Sequence, residues 1–266
     1  MANPIMSDKA VDAAARAGWG APDLSTRNTP MGPISDGPSS IWHSQTMTVS
    51  GTATATGALL VLLLATAALG WSMTTAGDTK SMPLALGAVL VGFGLAMVLH
   101  FKPTLAKLLA PIYALAEGFF LGVISRIYDA QYNGIVLQAV GATLAVFAVM
   151  LLLYTSRIIK VTDRFRRLVV MATMGLMAFY AISLVISLFG GTVPFLQSAS
   201  PLGILFSVFA AGLAAMMLAV NFDTIERGVA AKWPKGMEWY CAFGMLATLV
   251  WLYLEILRLL AKLNRR

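Results

Sequence analysis

Residues 201–223 read PLGILFSVFAAGLAAMMLAVNFD, and this stretch decides the fold class. It is apolar over about 20 residues, the length that a helix needs to cross a hydrocarbon core ~30 Å thick. Small residues recur at every fourth position, which lets a second helix approach closely in lipid. They are Gly203, Ser207, Ala211, Ala215 and Ala219. Asp223 closes the stripe, and an acid at the edge of a membrane span indicates a functional site.

The composition of the whole chain agrees with this interpretation. Hydrophobic residues make up 58% of its 266 residues and charged residues only 12%, about half the usual charged share of a soluble domain. The net charge of +7 predicts basic loops beside an anionic leaflet rather than nucleic-acid binding. Cys241 is the single cysteine, which excludes a disulfide framework and a thiolate metal site.

Seven segments are long and apolar enough to span a membrane. The fold class is therefore an all-α polytopic membrane protein, a bundle of seven transmembrane helices. Between the second and third segments the polar break is short, which also fits a tight hairpin. The segments are Thr52–Met73, Pro83–Phe101, Leu105–Ile127, Ile135–Thr155, Leu168–Phe189, Leu202–Asn221 and Trp239–Leu263.

The chain divides into two parts. Residues 1–46 are rich in Pro, Gly, Ser and Thr and cannot bury enough apolar surface to fold, so we expect a disordered soluble tail. No apolar stretch follows the first methionine, so the tail is not a cleavable signal peptide. Residues 47–266 form the transmembrane domain.

The orientation follows from the distribution of Lys and Arg. With seven spans, the side that holds the N-terminus, here called side one, carries thirteen of the 19 basic residues. The positive-inside rule makes side one cytoplasmic and side two, which holds the C-terminus, external. Basic residues near the C-terminus fit an alternative in which one span is re-entrant and both ends are cytoplasmic.

Three acids lie in or at the ends of spans. Glu117 is mid-span and precedes Gly118 and Gly122, whose spacing permits close helix packing. It is either a proton-sensing group or a protonated packing residue. Glu255 either forms a structural ion pair with Arg258 at i+3 or shares a polar face with Thr248, which lies seven residues earlier on the same side of the helix.

Asp223 also has two interpretations. It is either the first solvated residue after the sixth span, paired with Arg227 at i+4, or a functional acid. A carboxylate near a helix C-terminus is unfavourable with the helix dipole, which favours the functional interpretation. An enzyme is not expected, because the chain lacks the HExxH, GxSxG and phosphate-loop motifs and has only two histidines.

Three stretches resemble the Bax inhibitor-1 family of membrane proteins. They are YALAEGFFLG at 113–122, LAVNFD at 218–223 and LYLEILRLL at 252–260. The opening MTVSGTA at 47–53 and Trp71 resemble a bacterial subgroup with a long N-terminal tail. The resemblance covers residues 47–263 and implies a bundle whose last helix is central.

The resemblance also implies a function. Family members are linked to a pH-sensitive calcium leak, and some bacterial members modulate a membrane-bound protease. The calcium-leak members use two aspartates. Asp223 matches the first, as a possible calcium ligand, whereas the second falls on Thr248. The acid pair is therefore moved to Glu255, shared with Glu117, or lost.

Two functions remain in competition. One is a proton-gated cation leak of a bacterial inner membrane, with calcium as transported ion, no cofactor, and deprotonation of paired carboxyls opening the path. The other is a non-transporting regulator that binds a membrane protease or another membrane protein through its tail and basic loop, residues 157–167. The lipid bilayer is the expected partner in both cases, and the oligomeric state stays open.

Overall fold

The computed structural model describes residues 46–74, 81–189, 191 and 198–265. The described chain is helical, without a β-strand, and seven of its helices are long and apolar enough to cross a membrane. We number them α1 Val49–Met73, α2 Ser81–Phe101, α3 Ala106–Gln131, α4 Ile135–Thr155, α5 Asp163–Leu188, α6 Pro201–Ala230 and α7 Met237–Asn264. The seven predicted spans are confirmed.

Hydroxyl side chains begin three of the helices. Thr48, Thr162 and Ser200 precede α1, α5 and α6, and each accepts a hydrogen bond from a backbone N–H in the first turn. These caps satisfy donors that have no partner within the helix. Between α2 and α3 the chain makes a single 3₁₀ turn, Pro103–Leu105, so the two helices form the tight hairpin that the short break allowed.

The C-terminal helix lies at the centre of the bundle. α7 packs against α1, α3, α4 and α6, and it reaches α5 through the side chain of Tyr180. By contrast, α2 packs against α3, and α5 packs against α6. Leu246, Leu252 and Leu257 of α7 are almost fully buried. A helix that is buried on most of its faces is a core element, here surrounded by helices that also face lipid.

The closest helix pair is α1 with α3, and two glycines make it possible. A Cβ atom on Gly118 would overlap the carbonyl of Leu63, and one on Gly122 would overlap the carbonyl of Ala67. Backbone contact of this kind is the usual result of small residues four positions apart in a membrane helix. The close approach that the sequence permitted is therefore present in the structure.

Contacts at the helix ends show at which end of the bundle the first and last helices begin and end. At side one, Thr48 donates two hydrogen bonds of 3.0 Å to Glu238 Oε1, which joins the start of α1 to the start of α7. At side two, Arg265 donates to the hydroxyl of Tyr132 in the α3–α4 turn. Residues 46 and 265 thus lie at opposite ends of the bundle, as seven full spans predict. The predicted tail, except for Thr46, lies outside them.

Several helices extend beyond their apolar segments. α6 continues to Ala230, well past the predicted end at Asn221, and α5 begins at Asp163 rather than Leu168. Hydropathy marks where charged residues start, but a helix continues through charges that are paired or solvated. Asp223 is therefore a helical residue, with seven further residues of α6 after it.

Candidate functional site

Asp223 lies in a cluster of ion pairs at side one. Its Oδ2 is 2.7 Å from Nε of Arg227 and 3.6 Å from a guanidinium nitrogen of Arg166 on α5. No donor in the described part of the chain is aligned for a hydrogen bond with this buried oxygen, so the contact is electrostatic. Arg227 also donates to Asp163 at 3.1 Å. We call Asp223, Arg227, Arg166 and Asp163 the side-one cluster; it ties α6 to α5.

Asn221 and Thr248 join α6 to the central helix. Nδ2 of Asn221 donates to Oγ1 of Thr248 at 2.7 Å and to the carbonyl of Gly244 at 3.3 Å. The hydroxyl of Thr248 in turn donates to the carbonyl of Gly244 at 2.9 Å. Each group has a partner, as polar groups in the hydrocarbon region require. The partner of Thr248 is thus an amide and not an acid.

Glu255 lies in a second cluster, formed with α5. Only 1% of its side chain is exposed. It accepts hydrogen bonds from the hydroxyl of Tyr180 at 2.7 Å, from the indole of Trp251 at 3.3 Å and from Arg258, which is 3.1 Å from both carboxylate oxygens. The guanidinium of Arg258 also lies over the Tyr180 ring, 5.1 Å from its centroid. The ion pair between Glu255 and Arg258 at i+3 is therefore present in the structure.

Lys262 completes the series at side two. Its side chain is buried, and Nζ donates to the carbonyl of Gly203 and to the hydroxyl of Ser207, both at 2.8 Å. These acceptors are the first two members of the small-residue stripe of α6. Their small size leaves room for a lysine side chain between α6 and α7.

Together these groups form what we call the polar ladder, a series of polar contacts along α6 and α7 with α5 at its side. From Gly203 to Asp223 it follows twenty residues of α6, about 30 Å at 1.5 Å per residue. This length equals the ~30 Å thickness of the hydrocarbon core. Between Thr248 and Glu255 the ladder is interrupted for about 10 Å. In this stretch of α7 the indole of Trp251 donates to Glu255, and the hydroxyl of Tyr253 bonds to Ser125 of α3 instead.

The comparisons with known proteins agree with this architecture. The family model described as Bax inhibitor 1 like matches residues 3–265. The chain belongs to the Bax inhibitor 1 like family. No curated protein and no solved structure matched in the corresponding comparisons. The family resemblance drawn from three short stretches is thus confirmed over nearly the whole chain.

In this Bax inhibitor 1 like protein the four predicted site residues lie in separate surroundings. Thr248 is two turns of α7 away from Glu255, about 10 Å along the axis. Asp223 follows Asn221 by two residues, or about 200° around the helix, so it faces α5 while Asn221 faces α7. Among the described residues Asp223 contacts neither Glu255 nor Glu117, and the acid that shares its cluster, Asp163, pairs with the same Arg227.

The stripe that ends in Asp223 explains this placement. Positions four residues apart advance by about 40° around a helix. Gly203 and Ser207 face α7, where they contact Lys262. Over the twenty residues to Asp223 the stripe turns by about 200° and arrives beside Arg166 of α5. The seam thus begins against the central helix and ends against its neighbour.

Glu117 is apart from the ladder, on the opposite side of the bundle. It lies near the middle of α3 with 8% of its surface exposed, and it packs against Gly92 of α2, where an added Cβ would be 2.7 Å from Oε1. Within the described residues no hydrogen bond or ion pair reaches its carboxyl group. Gly92 provides the space that this side chain occupies.

The sequence did not indicate several members of the site. Asn221, Arg166 and Tyr180 contact residues 27, 57 and 75 positions away, and no local pattern marks such partners. One signal was available, since Asn221 is a polar residue inside an apolar span, where side chains of this kind bond across helices. Arg227 was expected as the i+4 partner of Asp223.

The side-one cluster does not offer the donor set of a resident calcium site. The described residues contain no group of three or more His, Cys, Asp or Glu side chains that could hold a metal ion. Calcium prefers six to eight oxygen ligands, and Asp223 supplies two beside two guanidinium groups.

Proposed function

We propose that this protein is a pH-sensitive cation leak of a bacterial inner membrane, with side one cytoplasmic. The polar ladder is the observation that carries the proposal. It extends from side two to side one along α6 and α7 with one interruption, and its members come from the weakly packed α5 as well as from the central helix. Polar residues that face the interior of a bundle mark ion and proton pathways in membrane proteins.

The arrangement described above corresponds to the closed state. The ladder is interrupted between Thr248 and Glu255, and the two cations Arg258 and Lys262 occupy its side-two half. At side one, Arg166 and Arg227 cover Asp223. Buried positive charge opposes the entry of Ca²⁺ because the interaction is little screened away from water.

Loss of the negative charge on Asp223 opens the path in this proposal. Without that charge, the two guanidinium groups of the side-one cluster are balanced by Asp163 alone, and their repulsion loosens the contact between α5 and α6. Acidification therefore raises the flux. This direction is opposite to the one expected for two carboxyls that repel each other, because Asp223 is in contact with two guanidinium groups.

The replacement Asp223→Asn tests this role. The amide imitates the protonated acid, so we expect Ca²⁺ flux at neutral pH to rise about fivefold, the factor that corresponds to the ~1 kcal/mol of a partly exposed ion pair. The flux should also lose its dependence on pH. The measurement is Ca²⁺ entry into proteoliposomes that contain a calcium dye, at neutral and mildly acidic pH.

Glu226→Gln is the matched control. Glu226 lies one turn after Asp223 on α6 and pairs with Arg157 at 2.7 Å, but its side chain is 47% exposed. Its removal should leave both the flux and its pH dependence unchanged. Equal behaviour of Asp223→Asn and the wild type would remove Asp223 from the mechanism.

The regulator remains as a second candidate, favoured by basic residues in the loop between α4 and α5 and in the first turns of α5. Lys160, Arg164 and Arg167 are exposed, and no ion pair holds them among the described residues. They would suit an acidic surface on a membrane protease or another membrane protein.

Deletion of residues 1–45 separates the two functions: a regulator that binds through its tail loses its partner in a pull-down, whereas a leak keeps its flux. We propose no enzymatic activity and no cofactor for either function.

A further inference from the structure

A lateral cleft lies on the side of the bundle away from the polar ladder. It has a volume of about 390 Å³ and is bounded by α1, α3, α4 and α7. α3 and α7 form its floor, and α1 and α4, which make little direct contact with each other, form its walls. Leu64 and Leu144 lie on the two walls with 61% and 59% of their surface exposed. The cleft therefore opens sideways to the lipid.

The lining of the cleft accepts hydrocarbon and no polar ligand. Its hydroxyl groups are already bonded within the protein: Thr56 to the carbonyl of Thr52, Thr143 to that of Ala139, and Ser125 to Tyr253. The remaining lining residues are apolar apart from Trp71. A polar guest would lose its bonds to water without replacement.

The cleft has the length of one acyl chain. Along α1 it extends from Thr56 to Trp71, about 22 Å, and along α4 from Val136 to Phe147, about 16 Å. One leaflet contributes about half of the ~30 Å hydrocarbon core. A lipid chain that descends from the side-two surface therefore fits along its whole length.

A positive charge stands at the side-two end of the cleft. The guanidinium of Arg126 lies 5.2 Å from the centre of the Trp71 ring, which lines that end. Its ion pair with Asp129 is long, at 3.8 Å, and its side chain is 34% exposed. An arginine held on an interfacial tryptophan with free donors is suited to a phosphate group.

We propose that the cleft binds one phospholipid of the side-two leaflet, with an acyl chain between α1 and α4 and its phosphate on Arg126. A phospholipid of the side-two leaflet is the occupant because the charged end of the cleft is at side two. Met47, near the start of the described bundle, is at side one, where its N–H donates to the carbonyl of Trp233. This site is independent of the proposed leak.

The test counts phospholipids that remain bound to the full-length protein, by native mass spectrometry after purification in a mild detergent and addition of dioleoyl phosphatidylglycerol. We expect one retained lipid in the wild type. Ala68→Phe fills the α1 wall and Val140→Phe the α4 wall, and each should lower retention about tenfold. Ala65→Phe is the matched control: Ala65 is also exposed but lies outside the cleft, and its replacement should change nothing.

Separate variants and a separate lipid test the contact between Arg126 and the phosphate. Arg126→Gln should lower retention about tenfold, the effect of losing a hydrogen bond to a charged group, and Asp129→Asn should raise it by removing the competing carboxylate. Dioleoylglycerol, which has the same chains without phosphate, should be retained about tenfold less than the phospholipid. Equal loss in Ala65→Phe and Ala68→Phe would show ordinary surface lipid and overturn the proposal. So would a dimer that disappears in Ala68→Phe, since a second copy would then occupy the cleft.

Discussion

Glu255→Leu is expected to destabilise the protein by about 3 kcal/mol, among the largest effects of any single replacement. The change leaves Arg258 without its carboxylate and Tyr180 without its acceptor. Removing one member of a buried ion pair costs about 3–5 kcal/mol because the remaining charge is uncompensated. The lower value applies, since the Arg258 side chain is 32% exposed and can reach towards side two.

The measurement is unfolding in mixed micelles of mild detergent and SDS, followed by circular dichroism. Replacement of both partners, Glu255→Leu with Arg258→Leu, should recover most of the lost free energy, because an ion pair replaced by apolar residues is often neutral. The exposed pair supplies a control, and Glu226→Gln should cost less than about 1 kcal/mol. A double variant as unstable as Glu255→Leu would contradict this explanation.

Gly122→Ala is expected to cost about 3 kcal/mol by separating α1 from α3. The new methyl group would overlap the carbonyl of Ala67, a backbone atom that cannot rotate away as a side chain does. Overpacking costs about 1–3 kcal/mol, and the upper value applies where two helix backbones meet. The same unfolding assay measures it.

Gly57→Ala is the matched control for this prediction. Gly57 is on α1, and a Cβ added there meets no atom within 4 Å. Because alanine is the better helix former, this change should leave the stability unaltered or raise it by up to about 1 kcal/mol. Equal effects of the two replacements would mean that helix propensity, and not the approach of α1 to α3, determines the role of Gly122.

The number and order of the helices could be predicted because each span must be apolar over a fixed length. The helix ends could not be predicted, because hydropathy falls at the first charged residue while the backbone hydrogen bonds of the helix continue past it. α6 illustrates this: its apolar segment ends at Asn221, but Asp223 and Arg227 pair within the helix, which continues to Ala230. The α2–α3 hairpin was anticipated because the polar break around Lys102 is short.

The site was predictable only in part. The acids Glu117, Asp223 and Glu255 stood out because charge is costly in a membrane. The surroundings of each acid depend on which helices pack together. The residue spacing within one helix does not predict that packing. The 40° advance of the stripe was visible in the sequence, but its consequence, that Asp223 faces Arg166 rather than α7, required the position of α5.

The most direct test of the proposed leak is the Ca²⁺ flux of the wild-type protein in proteoliposomes as the pH is lowered from neutral to mildly acidic on side one. The closed side-one cluster predicts a low flux at neutral pH that rises when acidification weakens the ion pairs of Arg166 and Arg227. A flux equal to that of protein-free liposomes at every pH, or one that falls on acidification, would contradict it.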